Sequence, residues 1–207
     1  MGRKTQITRE MILNASFELL DEGGIGAVAI KSIAVKLGCS TQPISWHFGS
    51  MNELKKELMS YTGGRMNRSL SEKMSGKDAL EAFFISGVHY ISMACDHPRV
   101  FRFLNIDDPV ETVGVDMRGD SSIFADQFAG KAVEMISDAF NISSDIVGST
   151  VRDIVIYTHG LAAMMMMDGF KLPKDKACRM VFDVGVRMLS QIGIDTTSYK
   201  FKDFYPC

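Results

Sequence analysis

The sequence predicts an all-α chain, in which a small N-terminal three-helix bundle is fused to a larger helical domain. Three observations carry that prediction. Apolar residues recur at i, i+3, i+4 and i+7 along successive segments, the spacing of one helix face. Residues that start and stop helices bracket those segments. Residues 40–48, STQPISWHF, fail as a core strand: Pro43 would remove a ladder hydrogen bond, and polar residues do not alternate cleanly with apolar ones.

In the first segment Thr8 is placed as an N-cap with Glu10 in the first turn, and Ile12, Ala15, Ser16, Leu19 and Leu20 share one face until Gly23-Gly24 stops the helix. Ile30, Ile33, Ala34 and Leu37 make a shorter second helix, with Gly38 where a left-handed terminating residue is expected. Ser40 or Thr41 is expected to cap a third. Pro43 then lies in its first turn, where its missing N–H loses no partner, and Ile44 and Phe48 point inward.

Two helices joined by Leu37-Gly38-Cys39-Ser40, the second very short, form a helix-turn-helix whose second member is suited to enter a major groove. Opposite Ile44 and Phe48 stand Thr41, Gln42, Ser45 and Trp46. Thr and Gln hydrogen-bond base edges, Pro43 offers apolar surface to a thymine methyl, and Trp46 and His47 donate to phosphates. On spacing alone, a plain helical hairpin with solvated Thr, Gln and Ser accounts for the same residues.

From Ile12 to Leu58, with IKSIAVKLGCSTQPISWHFGSMNELKKEL at its centre, the chain resembles the N-terminal DNA-binding region of the tetracycline-repressor (TetR) family of bacterial transcription regulators. The resemblance rests on the Ile-Ala pair before Leu-Gly, the Ser/Thr-rich turn, the aromatic followed by His-Phe, and an acidic residue and Leu opening a fourth helix. It implies a homodimer that binds palindromic operator DNA through two such modules. It also implies DNA contacts by Lys31, ahead of the turn. Two positions depart from the family: Ser45 stands where tyrosine is usual and Met51 where lysine is usual, both of them phosphate contacts. Trp46, His47 and the Lys55-Lys56 pair are placed to compensate, and Arg3 and Lys4 add a short basic arm. The domains expected are 1–50 for DNA binding and 51–207 for ligand binding and dimerisation.

Beyond Met51 a long helix runs through Leu54 and Leu58 toward Met66, another spans 78–96, and Asp96-His97-Pro98 restarts a short one through Phe101 and Leu104. The acidic stretch from Asn105 to Asp120 is expected as a loop, and Phe124, Phe128, Ala132, Met135 and Ile136 resume helical spacing. Two apolar stripes close the chain. Val151, Ile154, Leu161 and Met165 lie on one helix that is apolar nearly all round; Met180, Val184 and Met188 lie on the next. A helix apolar on every face needs burial on every face, either enclosed by its own domain or against a second subunit; with the resemblance included, these residues are expected at a two-fold four-helix dimer interface. Candidates to line a cavity for a small-molecule effector are His89, Phe103, Phe124, Phe128, Tyr157 and Met164.

Composition narrows the classes. Hydrophobic residues make up 46% and charged residues 23% of 207, without low-complexity tracts, as in a globular protein with a real core. Residues 1–75 hold ten Lys/Arg against seven Asp/Glu, a balance of +3, while residues 76–207 hold thirteen against eighteen, −5, giving −2 in all. The apolar run from Gly160 to Met167 stops at Asp168, short of the ~20 residues that span a bilayer, so no membrane partner is expected and the protein is expected in the cytoplasm. Cys39, Cys95, Cys178 and Cys207 show no C-x-x-C spacing and are expected as reduced thiols. Gly24-Ile25-Gly26-Ala27-Val28-Ala29 matches a loose dinucleotide-binding pattern but follows a helix instead of a strand. No catalytic motif, metal-ligand spacing or cofactor is read. The alternative to a ligand-responsive repressor is a small-molecule-binding or enzymatic helical domain with a vestigial hairpin.

Overall fold

The computed structural model describes residues 6–113, 126–167 and 169–205. Ten helices run through them: α1 (Arg9–Gly23), α2 (Ile30–Leu37), α3 (Gln42–Phe48), α4 (Met51–Met74), α5 (Ala79–Asp96), α6 (Pro98–Asn105), α7 (Pro109–Val113), α8 (Asp126–Phe140), α9 (Ser144–Met165) and α10 (Lys174–Gln191). Short 3-10 turns occupy Ile25–Ala27 and Phe201–Asp203, and the described residues contain no strand.

The helix ends follow local chemistry. Thr8 Oγ1 accepts from the Met11 N–H at 3.2 Å and Gly24 closes α1 at φ 75°, both as the sequence indicates. At α5 Asp78 and Glu81 form a reciprocal capping box. Two expectations are corrected. Thr41 occupies the cap position of α3, but its hydroxyl accepts no bond there; it enters in right-handed helical backbone, and its carbonyl takes the Ser45 N–H at 3.1 Å. The stretch from Asn105 to Asp120 is not wholly loop: α7 forms within it because Asp108 Oδ1 accepts the Val110 N–H at 2.8 Å and its carbonyl accepts from Thr112.

The chain divides into two compact units, one of Met1–Met66 with Arg99–Met117 and the other of Asn67–Pro98 with Arg118–Cys207. The core of the first joins Ile12 and Leu20 of α1, Ile33 of α2, Ile44 and Phe48 of α3, and Leu54 and Leu58 of α4. Val100 and Phe103 of α6 complete it, and Arg99 Nη1 donates to the Asp21 carbonyl at 3.3 Å, near the end of α1.

The second unit packs α5, α9 and α10 with α8. Glycines allow α5 and α10 to approach closely: a Cβ on Gly87 would meet Val181 Cγ1 at 3.0 Å and one on Gly185 would meet Phe84 Cε1 at 3.0 Å. A salt bridge from Lys174 to Asp96 joins the start of α10 to the end of α5. The segment after α10 folds back as an aromatic cluster, with Tyr199 and Phe204 against Phe84, and Phe201 against Phe182.

Candidate nucleic-acid interface

Gly38 ends α2 in the left-handed region at φ 63°, its N–H reaching the Ala34 and Val35 carbonyls, and the Cys39 N–H bonds to Ala34 O at 3.0 Å. The chain is thereby turned sharply into α3. With only seven residues, α3 is too short to hold itself together, and Ile44 and Phe48, both buried, anchor it in the core. That anchoring fixes which side faces out. Thr41, Gln42, Ser45 and Trp46 are all exposed, and the Trp46 side chain stands 78% open to solvent. Lys31 is exposed on α2; on α4 Lys55 is half-buried and Lys56 exposed. Pro43 is half-buried in the first turn, as its missing N–H requires.

His47 is placed differently from the expectation of a phosphate donor. Its Nε2 lies 3.0 Å from the Ile7 carbonyl, an acceptor, so that nitrogen carries the proton and spends it inside the unit. Its ring meets Trp46 edge to face at 4.7 Å. Sequence reading also missed Arg9, whose Nη1 donates to the His47 carbonyl at 2.8 Å and whose guanidinium grips Glu57. No local signal marks that pairing, because Glu57 is 48 residues away. Arg3 and Lys4 lie outside the described residues.

The described residues expected to line a cavity are distributed over both units. Phe103 belongs to the core of the first unit, where the apolar face of α6 draws it in, and is buried there. Met164 is exposed and His89 half-buried, each in the second unit, while Phe124 and the side chain of Phe128 lie outside the described residues. Tyr157 lines an open groove of about 530 Å³ with Met180, Asp183, Val186 and Arg187, on the surface of α9 and α10. Tyr90 Oη and His159 Nδ1 are 2.8 Å apart and hydrogen-bonded; burial raises the phenol far above its usual range and lowers the imidazole.

The interface stripe divides in two. Val151, Ile154 and Val184 belong to the core of the second unit, where α9 packs on α5, α8 and α10, and α10 packs on α5; Leu161 is buried as well. Met165 and Met188 are half-buried, and Met180 is exposed, in company with Ile156, Met164 and Met167. Among the described residues no helix is long and apolar enough to cross a membrane, and no group of three or more His, Cys, Asp or Glu could hold a metal ion.

Residues 12–58 match the family described as bacterial regulatory proteins, tetR family. No curated protein matches the chain. Among solved structures, a TetR-like transcriptional regulator from Rhodococcus sp. RHA1 superposes with a TM-score of 0.64 at 15% identity, covering 92% of this chain and 98% of its own. At that identity the likeness is one of fold: a helix-turn-helix module followed by a helical domain.

Proposed function

We propose, from the match of residues 12–58 to the tetR family of bacterial regulatory proteins, that the chain is a DNA-binding transcription regulator of that family, a repressor released from its operator by a small molecule. The observation that carries the proposal is the outer face of α3, where Thr41, Gln42, Ser45 and Trp46 are exposed on a helix anchored by Ile44 and Phe48. A short helix mounted this way presents donors, acceptors and an indole to a groove with little ordering left to do on binding.

Residues 1–50 are the reading part in this proposal, and residues 51–207 bind the effector and dimerise in the cytoplasm. Two copies of α3 about 34–36 Å apart would meet successive half-sites of a palindromic operator. Effector binding need only favour a conformation in which that spacing is lost, and a ligand with equal affinity for both conformations would release nothing. In this proposal two stretches of chain that run between the units carry the change. α4 begins in the core of the first unit with Leu54 and Leu58 and continues to Met74, and α6, which follows α5 directly in sequence, ends in the same core through Val100 and Phe103.

The test is a titration of the purified protein against the DNA upstream of its own gene and against scrambled competitor, at two salt concentrations, beside Gln42→Ala. A base-contacting Gln42 predicts a loss of about 1–3 kcal/mol on the cognate duplex and almost none on competitor. Equal binding to every duplex tried, including ones enriched from a random pool, at Kd values of ~10⁻⁴ to 10⁻⁶ M, would overturn the repressor reading.

A further inference from the structure

We propose that Arg9 is the residue that sets the attitude of α3, positioning Gln42, Ser45 and Trp46 without itself reading DNA. The role rests on the reading of α3 as the DNA-contacting helix.

Three of the guanidinium's donors have separate partners on two helices. Nε donates to Glu57 Oε2 of α4 at 2.7 Å and Nη2 to Glu57 Oε1, while Nη1 donates to the His47 carbonyl at 2.8 Å. The guanidinium carbon lies 4.6 Å from the centroid of the Phe48 ring. His47 answers from the other side, its Nε2 donating to the Ile7 carbonyl at 3.0 Å. Residues 7–9 therefore hold the last turn of α3 by two crossing bonds. That turn is where a helix leaves its carbonyls without internal partners, and α3 is too short to keep its direction by itself.

An exposed arginine beside a glutamate is ordinarily a surface ion pair of small effect. The bond to the His47 carbonyl and the ring beneath the guanidinium distinguish this one, since neither is needed to pair two charges. They also make the site specific to arginine, whose planar fork serves a carboxylate and a carbonyl together, where a lysine is a single point charge. A phosphate-binding role is disfavoured by the same geometry: Glu57 occupies two of the donors and neutralises the charge.

The protein and its Arg9→Gln and Arg9→Lys variants decide the matter in two measurements. In the first, amide hydrogen exchange of residues 44–50 is followed without DNA. Both variants should exchange there about tenfold faster or more, with the melting temperature lowered by only a few degrees. In the second, each protein is titrated with a duplex selected from a random-sequence pool by the wild type, and with the unselected pool. Affinity for the selected duplex should fall about tenfold or more in both variants, and affinity for the pool by less than about threefold. Unchanged exchange at residues 44–50 would overturn the proposal. So would an equal loss on both DNAs that Arg9→Lys restores, the mark of a phosphate contact. A wild type that binds all duplexes alike refutes the DNA reading of α3 and not the clamp, which the exchange then supports or refutes by itself.

Discussion

Asp78 serves two elements with one carboxylate: Oδ1 accepts the Glu81 N–H at 2.8 Å to start α5, and Oδ2 accepts the Tyr199 hydroxyl at 3.1 Å from the segment after α10. Partial burial, then the bond to Asp78 and the nearby negative charge, push Tyr199 up to about 12. The sign follows from the raised value. The neutral phenol is the form the folded state prefers, so its contribution is complete below the ordinary tyrosine pKa of ~10 and is lost as pH rises toward 12. Tyr199→Phe keeps the ring in the aromatic cluster and removes only the donor. Denaturant unfolding at neutral pH should show a loss of about 0.5–1.5 kcal/mol, and the variant should lose less stability than the wild type between pH 10 and 12. An unchanged alkaline limb would mean that Tyr199 ionises freely in the folded protein.

Among the elements, α4 carries an internal weakness. Gly63 and Gly64 sit in its middle, at ordinary helical φ, and a Cβ on either would meet nothing within 4 Å. Neither close packing nor a left-handed backbone requires them, so what remains is the cost of glycine in a helix interior, about 1 kcal/mol each relative to alanine. The Gly63→Ala, Gly64→Ala double variant should be more stable by about 1–2 kcal/mol, read as a higher urea midpoint at unchanged slope. A destabilised variant would show that the bare backbone there has a packing role. Arg65 lies directly after the pair and binds α4 to α1, its guanidinium 4.4 Å from the Phe17 ring centroid and bonded to Asn14 Oδ1 at 2.9 Å. The stretch least able to hold a helix by propensity is thus held by tertiary contact.

For the whole molecule, the exposed apolar residues of the second unit bear on assembly. Ile156 and Met164, exposed at 52% and 44%, are two turns apart on α9, and Gly160 between them leaves open space where a side chain would stand. With Met180 at 38% exposure on α10 they are exposed apolar residues of the two helices that the proposed two-fold interface would use. Ile156→Lys with Met164→Lys should convert a dimer to a monomer in sedimentation velocity while leaving the helical circular dichroism intact. Affinity for a palindromic duplex should fall about a hundredfold or more as the second half-site is lost. A double variant that still sediments as the wild type does would exclude this face.

The sequence by itself determined most of the helices, the caps at Thr8, Gly24 and Gly38, and the face of α3 that looks outward. All of these are local: Thr8, Gly24 and Gly38 act on backbone within a turn of themselves, and the four-residue spacing of Ile44 and Phe48 settles burial for their neighbours. The short α7 escaped because its acidic composition resembles that of a solvated loop, while the feature that starts it is the single carboxylate of Asp108. Only the tertiary structure decided which apolar residues share a core and which polar groups remain free. Periodicity marks a buried face but not what covers it: Phe103 belongs to the helix-turn-helix core, and Val151, Ile154 and Val184 belong to the core of their own unit. The bonds of His47 to Ile7 and of Arg9 to Glu57 span 40 and 48 residues, and no pattern along the chain encodes a pairing made across such distances.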